Sequence, residues 1–296
     1  MFPLLITHAQ LRELMASEAP PMIFDASYDL LDHEEGLWRY EEEGHIPGAR
    51  HVSLDQALTA KPDQARVCGG RHPLPTREAF AETLGQWGLT PDTQVVIYDR
   101  NQQNYAGRLW WMLKWCGHAP VALLDGGWQG WVAAGGASTL EPPPVPAATR
   151  YPLSDPLVPM VTVEEVLQGL HGPQSVIDSR VPPRYRGEVE PLDPVAGHIP
   201  GAVNRPFAQN LDEQGFFKRP ELLRQEFEQL LSPWDPHRVV VHCGSGVSAL
   251  PNVIGMVLAG YPIPALFAGS WSEWCSDPTR PVELGFSSRN TQKKTI

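Results

Sequence analysis

A single cysteine, Cys243, stands between a run of four residues that reads as a buried strand, 239–242, and a loop of small residues. The apolar stretch from Ala249 to Gly260 predicts a helix after the loop. The amides of such a loop and the positive end of the helix dipole stabilise a negative charge placed beside them. We therefore predict that Cys243 is a thiolate nucleophile.

The loop after the cysteine reads Gly244-Ser245-Gly246-Val247-Ser248. Its two glycines carry no Cβ, so successive backbone N–H groups can turn toward one point without a steric clash. A sulfur anion at that point would accept hydrogen bonds from several amides. The loop is therefore predicted to surround and stabilise the ionised cysteine.

The elements that must position this loop occur twice in the chain. Three segments of the first half recur about 150 residues later, a spacing that indicates duplicated domains rather than a solenoid. The paired segments are 44–49 (Gly-His-Ile-Pro-Gly-Ala) with 197–202, 23–27 with 176–180, and 123–128 with 266–271. We expect His45 and His198 in the repeated turn to be structural.

Each copy alternates predicted helices with short apolar strands. Helices are expected after the capping-box patterns Thr7-x-x-Gln10 and Thr162-x-x-Glu165. The predicted strands end at Asp25 and Asp178 and otherwise cover 95–98, 121–124, 239–242 and 265–267. Continuous apolar strands that alternate with helices predict an α/β fold, a mostly parallel sheet with helices on both faces.

This pattern divides the chain into two domains. The first is predicted to cover residues 1–139 and the second 159–283. A proline-rich linker, 140–158, separates them, and residues 284–296 are predicted to form a polar tail.

The two copies differ where the nucleophile stands. The first copy has Asp99 at the position that Cys243 holds in the second. An aspartate there is expected to accept hydrogen bonds from loop amides and to serve structure only. We therefore expect the second domain to perform chemistry, and the first to act as a scaffold that can line a cleft beside it.

Composition excludes several classes of function. The net charge is −11 and no basic stripe occurs, which argues against nucleic acid as a partner. No apolar run reaches the roughly 18 residues that a membrane helix needs, and the first residues lack the pattern of a signal peptide. The four cysteines form no Cys-x-x-Cys pair, so no metal site is predicted. Scattered cysteines favour free thiols in the cytoplasm.

The duplicated domain, the Gly-His-Ile-Pro-Gly-Ala turn in both halves and a cysteine loop only in the second resemble the two-domain rhodanese family of sulfurtransferases. The resemblance covers about residues 5–283. It implies two tandem rhodanese-like domains, of which the first lacks the catalytic cysteine. It implies no metal or organic cofactor.

Within that family, the loop sets the sulfur donor. Members of the animal type that use thiosulfate carry Cys-Arg-Lys-Gly-Val-Thr, and members that use 3-mercaptopyruvate carry Cys-Gly-Ser-Gly-Val-Thr. Residues 243–248 read Cys-Gly-Ser-Gly-Val-Ser and are similar to the second form. Thiosulfate is a dianion that two loop cations would help to bind, whereas an uncharged loop suits a monocarboxylate. Thiosulfate remains the alternative donor.

The resemblance also implies a mechanism and partners. Cys243 takes the sulfur of the donor, pyruvate leaves, and the resulting persulfide passes its outer sulfur to cyanide, a small thiol or a thioredoxin-like protein. Neither a nucleic acid nor a membrane is expected as a partner, and a monomer is the default expectation.

Family positions imply further site residues. Arg184 matches the arginine that holds the substrate carboxylate, the alternative being a surface arginine after a proline turn. Gly244, Gly246, Val247 and Ser248 are implied to contact substrate. Ser248 could donate to the thiolate or merely cap the following helix.

Two residues of the first half complete the implied site. Asp55 and His72 match residues that reach the loop serine, Ser245, and the three could relay a proton or orient the substrate. The alternatives are a helix N-cap for Asp55 and a surface position for His72.

One departure from the family concerns a second arginine. Animal-type mercaptopyruvate enzymes carry it in a Pro-Glu-Pro-Arg-Asp stretch, where residues 190–194 of this chain read Glu-Pro-Leu-Asp-Pro. Whether Arg180 or Arg186 replaces it is left open by the sequence.

Two other classes of protein share this domain. Phosphatases of the cell-cycle type need Cys-x5-Arg, and the arginine position is Ala249 here, so that activity is excluded. A non-catalytic regulatory module is disfavoured for the whole chain because Cys243 is retained.

Overall fold

The computed structural model describes residues 1–287, which form two compact units. The first unit comprises residues 1–65, 75–157 and 211–217, and the second comprises 66–74, 158–210 and, of the described residues, 218–287. The linear division expected from the sequence places 66–74 in the first domain, whereas the structure places this segment with the second unit. Most of the expected polar tail, 288–296, lies outside the described residues.

The first unit contains a five-stranded sheet in which every pairing is parallel. The strand order is β1-β5-β4-β2-β3. The strands are β1 (Leu5–Ile6), β2 (Met22–Asp25), β3 (Arg50–His51), β4 (Val95–Tyr98) and β5 (Val121–Leu124).

The second unit repeats this sheet, again entirely parallel, with the order β6-β10-β9-β7-β8. Its strands are β6 (Met160–Val161), β7 (Ser175–Asp178), β8 (Val203–Asn204), β9 (Val239–His242) and β10 (Ala265–Phe267). The predicted α/β fold with parallel sheets is thus confirmed.

Helices flank both sheets. In the first unit they are α1 (His8–Met15), α2 (Glu35–Glu42), α3 (Leu54–Ala57), α4 (Arg77–Gln86), α5 (Asn104–Trp115) and α6 (Gly127–Ala133). In the second they are α7 (Val163–Gly169), α8 (Pro182–Tyr185), α9 (Pro220–Leu231), α10 (Leu250–Leu258) and α11 (Ser270–Trp274).

The local sequence explains where elements begin. Thr7 and Thr162 close complete capping boxes with Gln10 and Glu165, as predicted, and these start α1 and α7. The strands β4, β5, β9 and β10 have the predicted bounds, since each is a continuous run of mostly apolar residues. The two-residue strands β1, β3, β6 and β8 were not predicted, because two residues show no periodicity.

The repeated Gly-His-Ile-Pro-Gly-Ala turn has the same structure in both units. His45 stacks on Tyr40 at 3.8 Å between ring centroids, and its Nδ1 lies 3.0 Å from the Tyr40 carbonyl. His198 stacks on Tyr185 at 3.9 Å, with Nδ1 2.8 Å from the Tyr185 carbonyl. Both histidines are fully buried. They lock the turn, which confirms the structural role expected for them.

The strand order fixes where chemistry can occur. In the second unit the chain leaves the central strand β9 toward β10 on one side, while β7 and β8 lie on the other. A parallel sheet binds ligands at such a switch point, outside the carboxyl ends of its strands. Cys243 follows β9 directly and therefore occupies this position.

Apolar side chains hold this strand edge in place. Val240, Phe267, Trp271 and Trp274 belong to one buried cluster beneath the sheet. Burial of each large side chain contributes about 1.5–3 kcal/mol, so the base of the loop is firmly packed. Within residues 1–287, no helix is both long and apolar enough to cross a membrane.

Candidate active site

Cys243 is fixed by the start of α11. Its N–H donates to Ser270 Oγ at 3.1 Å, and its carbonyl accepts from the N–H of Trp271 at 3.0 Å. The residue is only 1% exposed. Cys243 therefore lies at the packed end of β9.

The two loop glycines serve different purposes. Gly246 has a φ of 77°, and a Cβ there would lie 2.1 Å from the carbonyl oxygen of Ala268, so only glycine fits. A Cβ on Gly244 would instead lie 2.9 Å from Arg71 Nη2 and 3.4 Å from Arg184 Nη1. Gly246 therefore shapes the loop, while Gly244 leaves room beneath two guanidinium groups.

Backbone amides of the loop are available to an anion. Ser245 and Val247 are both buried, and in the part of the chain that the structure describes their N–H groups donate to no acceptor. Buried N–H groups are almost always paired, so unpaired ones in a loop after a nucleophile mark a binding position.

The equivalent loop of the first unit is filled by its own carboxylate. Asp99 Oδ1 accepts from the N–H groups of Asn101 and Gln103, and Oδ2 from those of Tyr105 and Ala106, each at 2.9 Å. This confirms the structural role predicted for Asp99. Burial raises its pKa against the opposing effect of the four amides. The fold thus builds a ring of amide donors after its central strand.

Ser245 is held by His72. The Nδ1 of His72 lies 2.8 Å from Ser245 Oγ, and both residues are nearly buried. The alternative of a surface histidine is therefore wrong. Both residues belong to the second unit, which includes the segment 66–74.

Helix α11 anchors that segment as well as the cysteine loop. The N–H of Arg71 donates to Ser272 Oγ at 3.1 Å, and the N–H of Gly69 donates to Glu273 Oε1 at 2.7 Å. On the other side, the N–H of Ser272 donates to the Gly244 carbonyl at 2.9 Å. One short helix therefore sets the position of His72 relative to Ser245.

Asp55 belongs to the first unit, and its role in the site stays a prediction. Its Oδ2 accepts from the Tyr28 hydroxyl at 2.6 Å and lies 2.9 Å from His33 Nδ1. Burial, together with this hydrogen bond, raises the pKa of Tyr28. Asp55 does not cap α3, because the N-cap is Ser53.

Arg184 lies beside the loop, with Nη1 3.4 Å from the point where a Cβ on Gly244 would stand. It lies in α8, just after two prolines, and its side chain is 16% exposed, so it is not a free surface arginine. Nη2 donates to Glu190 Oε1 at 2.6 Å and to Asp193 Oδ2 at 3.1 Å, and Nε donates to Glu190 Oε2 at 3.2 Å. These carboxylates hold the guanidinium against the site.

The two arginines that the sequence left open have other partners. Arg180 is buried, forms a close ion pair with Asp178 and also binds Glu190. Its guanidinium also lies 4.7 Å from the centroid of the Trp271 ring, a cation–π contact. Arg186 pairs with the exposed Glu188 at 2.7 Å. The guanidiniums nearest Gly244 are instead those of Arg71 and Arg184.

The loop ends with Val247 and Ser248, and the structure shows the backbone contacts of this end. Val247 is buried, and its carbonyl accepts from the N–H of Leu250 at 3.2 Å. The N-cap of α10 is Ala249, which makes no side-chain cap bond, so Ser248 does not cap this helix. Contacts of Gly244, Gly246, Val247 and Ser248 with substrate remain predictions.

Sequence reasoning missed three members of the site. Arg71 adjoins His72 in the printed sequence, and this adjacency was a usable signal. Glu190 and Asp193 gave no signal, because their function depends on arginines that the fold brings to them.

The structure is an α/β protein with two duplicated parallel sheets, and a buried cysteine in an amide-rich loop lies at the switch point of the second sheet. A rhodanese-like domain matches residues 7–134 and again residues 162–277. The chain therefore belongs to the rhodanese family.

Relatives span nearly the whole chain. It is 44% identical over 287 residues to a Pseudomonas aeruginosa protein named "Probable 3-mercaptopyruvate sulfurtransferase", covering 95% of this chain and 98% of that one. It is 35% identical to the thiosulfate sulfurtransferase of Bos taurus, covering 85% and 84%. The structure of 3-mercaptopyruvate sulfurtransferase from Leishmania major matches with a TM-score of 0.80 at 26% identity, over 94% of this chain and 75% of that one.

Proposed function

We propose that this protein is a sulfurtransferase that moves sulfur from 3-mercaptopyruvate through a persulfide on Cys243 to a thiophilic acceptor and releases pyruvate. One observation carries the choice of donor. The residues after Cys243, Gly244 and Ser245, are uncharged, and the guanidinium of Arg184 lies directly beside Gly244. An uncharged loop beside an arginine fits a carboxylate and a neutral thiol better than it fits a dianion.

The first half of the reaction balances without a cofactor. The Cys243 thiolate attacks the sulfur of the donor, a sulfur–sulfur bond forms, and the carbon–sulfur bond breaks. The electron pair of the broken bond leaves with the three-carbon fragment as an enolate, and one proton converts that enolate to pyruvate. Ser245, hydrogen-bonded to His72, is the proposed source of this proton.

The loop amides stabilise each sulfur anion of the cycle. The N–H groups of Ser245 and Val247 are the proposed donors to the thiolate and then to the persulfide. The corresponding amides around Asp99 supply the precedent within the same chain.

The second half transfers the outer sulfur to an acceptor. Cyanide, a small thiol or a thioredoxin-like protein are the proposed acceptors, and a monomer is the proposed working form. The names of the relatives support sulfur transfer and leave both 3-mercaptopyruvate and thiosulfate as donors. We place the enzyme in the cytoplasm because its four cysteines are free thiols.

A donor comparison tests this assignment. With equal concentrations of 3-mercaptopyruvate and thiosulfate and with cyanide as acceptor, turnover should favour 3-mercaptopyruvate by more than about tenfold, because the loop lacks cations that would hold a dianion. Initial rates of thiocyanate formation measure this ratio. Equal or faster turnover with thiosulfate contradicts the assignment and supports the alternative donor.

Ser245 and His72 should act as one unit. We expect Ser245→Ala and His72→Gln each to lower kcat with 3-mercaptopyruvate by about 10- to 100-fold, the usual contribution of a proton-transfer group. The double variant should be no slower than the slower single variant, since either change breaks the same path. Rate constants of the four proteins measure this. Multiplicative losses would show that the two residues act independently.

A further inference from the structure

Each unit contains one segment from the other half of the sequence. Segment 66–74 lies in the second unit, and segment 211–217 lies in the first. The two segments begin at residues 66 and 211, a separation close to the spacing of the repeat. They are therefore equivalent parts of the two copies. In the second unit, such a segment supplies His72 to the cysteine loop.

In the first unit, segment 211–217 lies against the end of the sheet that carries Asp99. The N–H of Phe217 donates to Asp125 Oδ1 at 2.9 Å, just after β5. The Phe216 ring packs on Gly126, where a Cβ would lie 2.6 Å from it. The first unit thus assembles the same three parts as the cysteine site: a loop after the central strand, the turn after the neighbouring strand and a segment from the other half.

These three parts surround a cavity of about 210 Å³. The loop contributes Gln102 and Gln103 to its wall, α6 contributes Gln129, and the segment contributes Glu213. The volume is smaller than the roughly 300–1,000 Å³ of pockets that take drug-sized ligands, so the cavity suits a small metabolite.

The backbone of the loop is strained beside this cavity. Gln102 and Gln103 have φ values of 61° and 66°, so two successive residues with side chains adopt the left-handed conformation. Such residues persist only where the surrounding structure imposes them, and they cluster at binding and catalytic sites. The loop of the first unit has this feature although it carries Asp99 and no nucleophile.

A buried acceptor without a donor lies on the same loop. Gln103 is 1% exposed, and its Nε2 donates to the Leu124 carbonyl at 2.8 Å. Within residues 1–287, its buried Oε1 accepts no hydrogen bond. Buried polar atoms are almost always paired, so this amide oxygen on a residue of the cavity wall marks a position for an N–H donor.

The charges around the cavity favour a positive ligand. Asp99 and Glu213 place two carboxylates in its wall. Arg100 also lines it, but its side chain is 3% exposed and its guanidinium lies 3.7 Å from Asp25 and 3.8 Å from Glu43, which offset its charge. Nε and Nη1 of Arg100 form no hydrogen bond among the described residues, so an anion is the rival ligand.

We propose that this cavity of the first unit is a second binding site, and that it takes a small organic cation with N–H donors, such as a primary ammonium compound. The ammonium group donates to Gln103 Oε1 and to the Glu213 carboxylate. The inference is independent of the proposed function, because the residues that line the cavity belong to the first unit and the cysteine loop belongs to the second.

Three probes of similar size and different charge test the proposal: propylammonium, propionamide and propionate. Proton–nitrogen NMR spectra of the wild type at neutral pH and low salt follow the side-chain amide of Gln103, so binding elsewhere does not interfere. Propylammonium should shift this resonance saturably, with a dissociation constant about 5- to 10-fold lower than that of propionamide, because a charged donor forms the stronger hydrogen bond. Propionate should leave it unshifted.

The same titration states what overturns the proposal. No saturable shift with propylammonium removes the site. A dissociation constant for propionamide equal to or lower than that of propylammonium removes the requirement for a cation. A saturable shift with propionate shows that Arg100 recognises an anion there, and this result also overturns the proposal.

A charge variant locates the cation within the cavity. Glu213→Gln removes one exposed carboxylate with little change of shape, and it should weaken propylammonium binding by about 5- to 10-fold while propionamide binds as before. Glu18→Gln is the matched control, because Glu18 is exposed and does not line the cavity, and it should bind as the wild type does. Equal weakening in both variants shows diffuse attraction to an acidic protein. That result, or unchanged binding in Glu213→Gln, overturns the proposal.

Discussion

Replacing Cys243 by serine is expected to lower the rate of sulfur transfer by at least about a thousandfold while the protein stays folded. A serine hydroxyl does not ionise near neutral pH and forms no persulfide, so the first chemical step is lost. The change is nearly isosteric at a buried position, and the hydrogen bonds of the residue are made by its backbone. The rate of thiocyanate formation measures the loss of sulfur transfer, and circular dichroism shows whether the variant stays folded.

Cys116 supplies the matched control. It is fully buried after α5, as expected for a core cysteine, and burial raises its pKa to about 12. Its thiol therefore stays protonated near neutral pH and is a poor nucleophile. Cys116→Ala should keep the wild-type rate. Full activity in Cys243→Ser, or its loss in folded Cys116→Ala, would place the nucleophile elsewhere.

Replacing Arg184 by alanine is the second large effect. We expect kcat/KM with 3-mercaptopyruvate to fall by about 30- to 1000-fold, equivalent to about 2–4 kcal/mol, because a charged contact to the carboxylate is lost. Arg184 also binds Glu190 and Asp193, so its removal leaves two nearly buried carboxylates with fewer partners. Initial-rate kinetics across a range of donor concentrations provide the measurement.

A half-reaction separates lost binding from lost structure in Arg184→Ala. Discharge of a preformed persulfide to a neutral thiol such as 2-mercaptoethanol does not use the carboxylate grip, so its rate should stay near that of the wild type. Arg186→Ala serves as the control for removal of an arginine. An unchanged kcat/KM in Arg184→Ala would show that the carboxylate is held by other residues.

The sequence predicted the central sheets well because their strands are continuous runs of mostly apolar residues. The runs 95–98 and 239–242 are buried on both faces, and no other element type fits such short stretches between helices. Asp99 was also predicted correctly, since a carboxylate at the head of a loop has few uses besides accepting amide hydrogen bonds.

The rest of the site depended on contacts between distant parts of the chain. Segment 66–74 lies with the second unit because α11 binds it through Ser272 and Glu273, some 200 residues later in the sequence. No local pattern encodes that pairing, so Arg71 was overlooked as a neighbour of the cysteine loop. The degree of burial of Cys243 could not be predicted from the sequence for the same reason.

The burial of Cys243 has a consequence for access. The sulfur itself contacts almost no solvent, whereas the Arg71 and Arg184 side chains beside the loop are 26% and 16% exposed. We therefore expect a donor to contact these guanidiniums before it reaches the cysteine.

Mass spectrometry of the full chain after incubation with 3-mercaptopyruvate, without an acceptor, tests the central proposal most directly. The peptide that contains Cys243 should gain one sulfur atom, pyruvate should appear in equal amount, and added cyanide should remove that sulfur as thiocyanate. An unmodified Cys243, or a sulfur gained on another cysteine instead, would contradict the account.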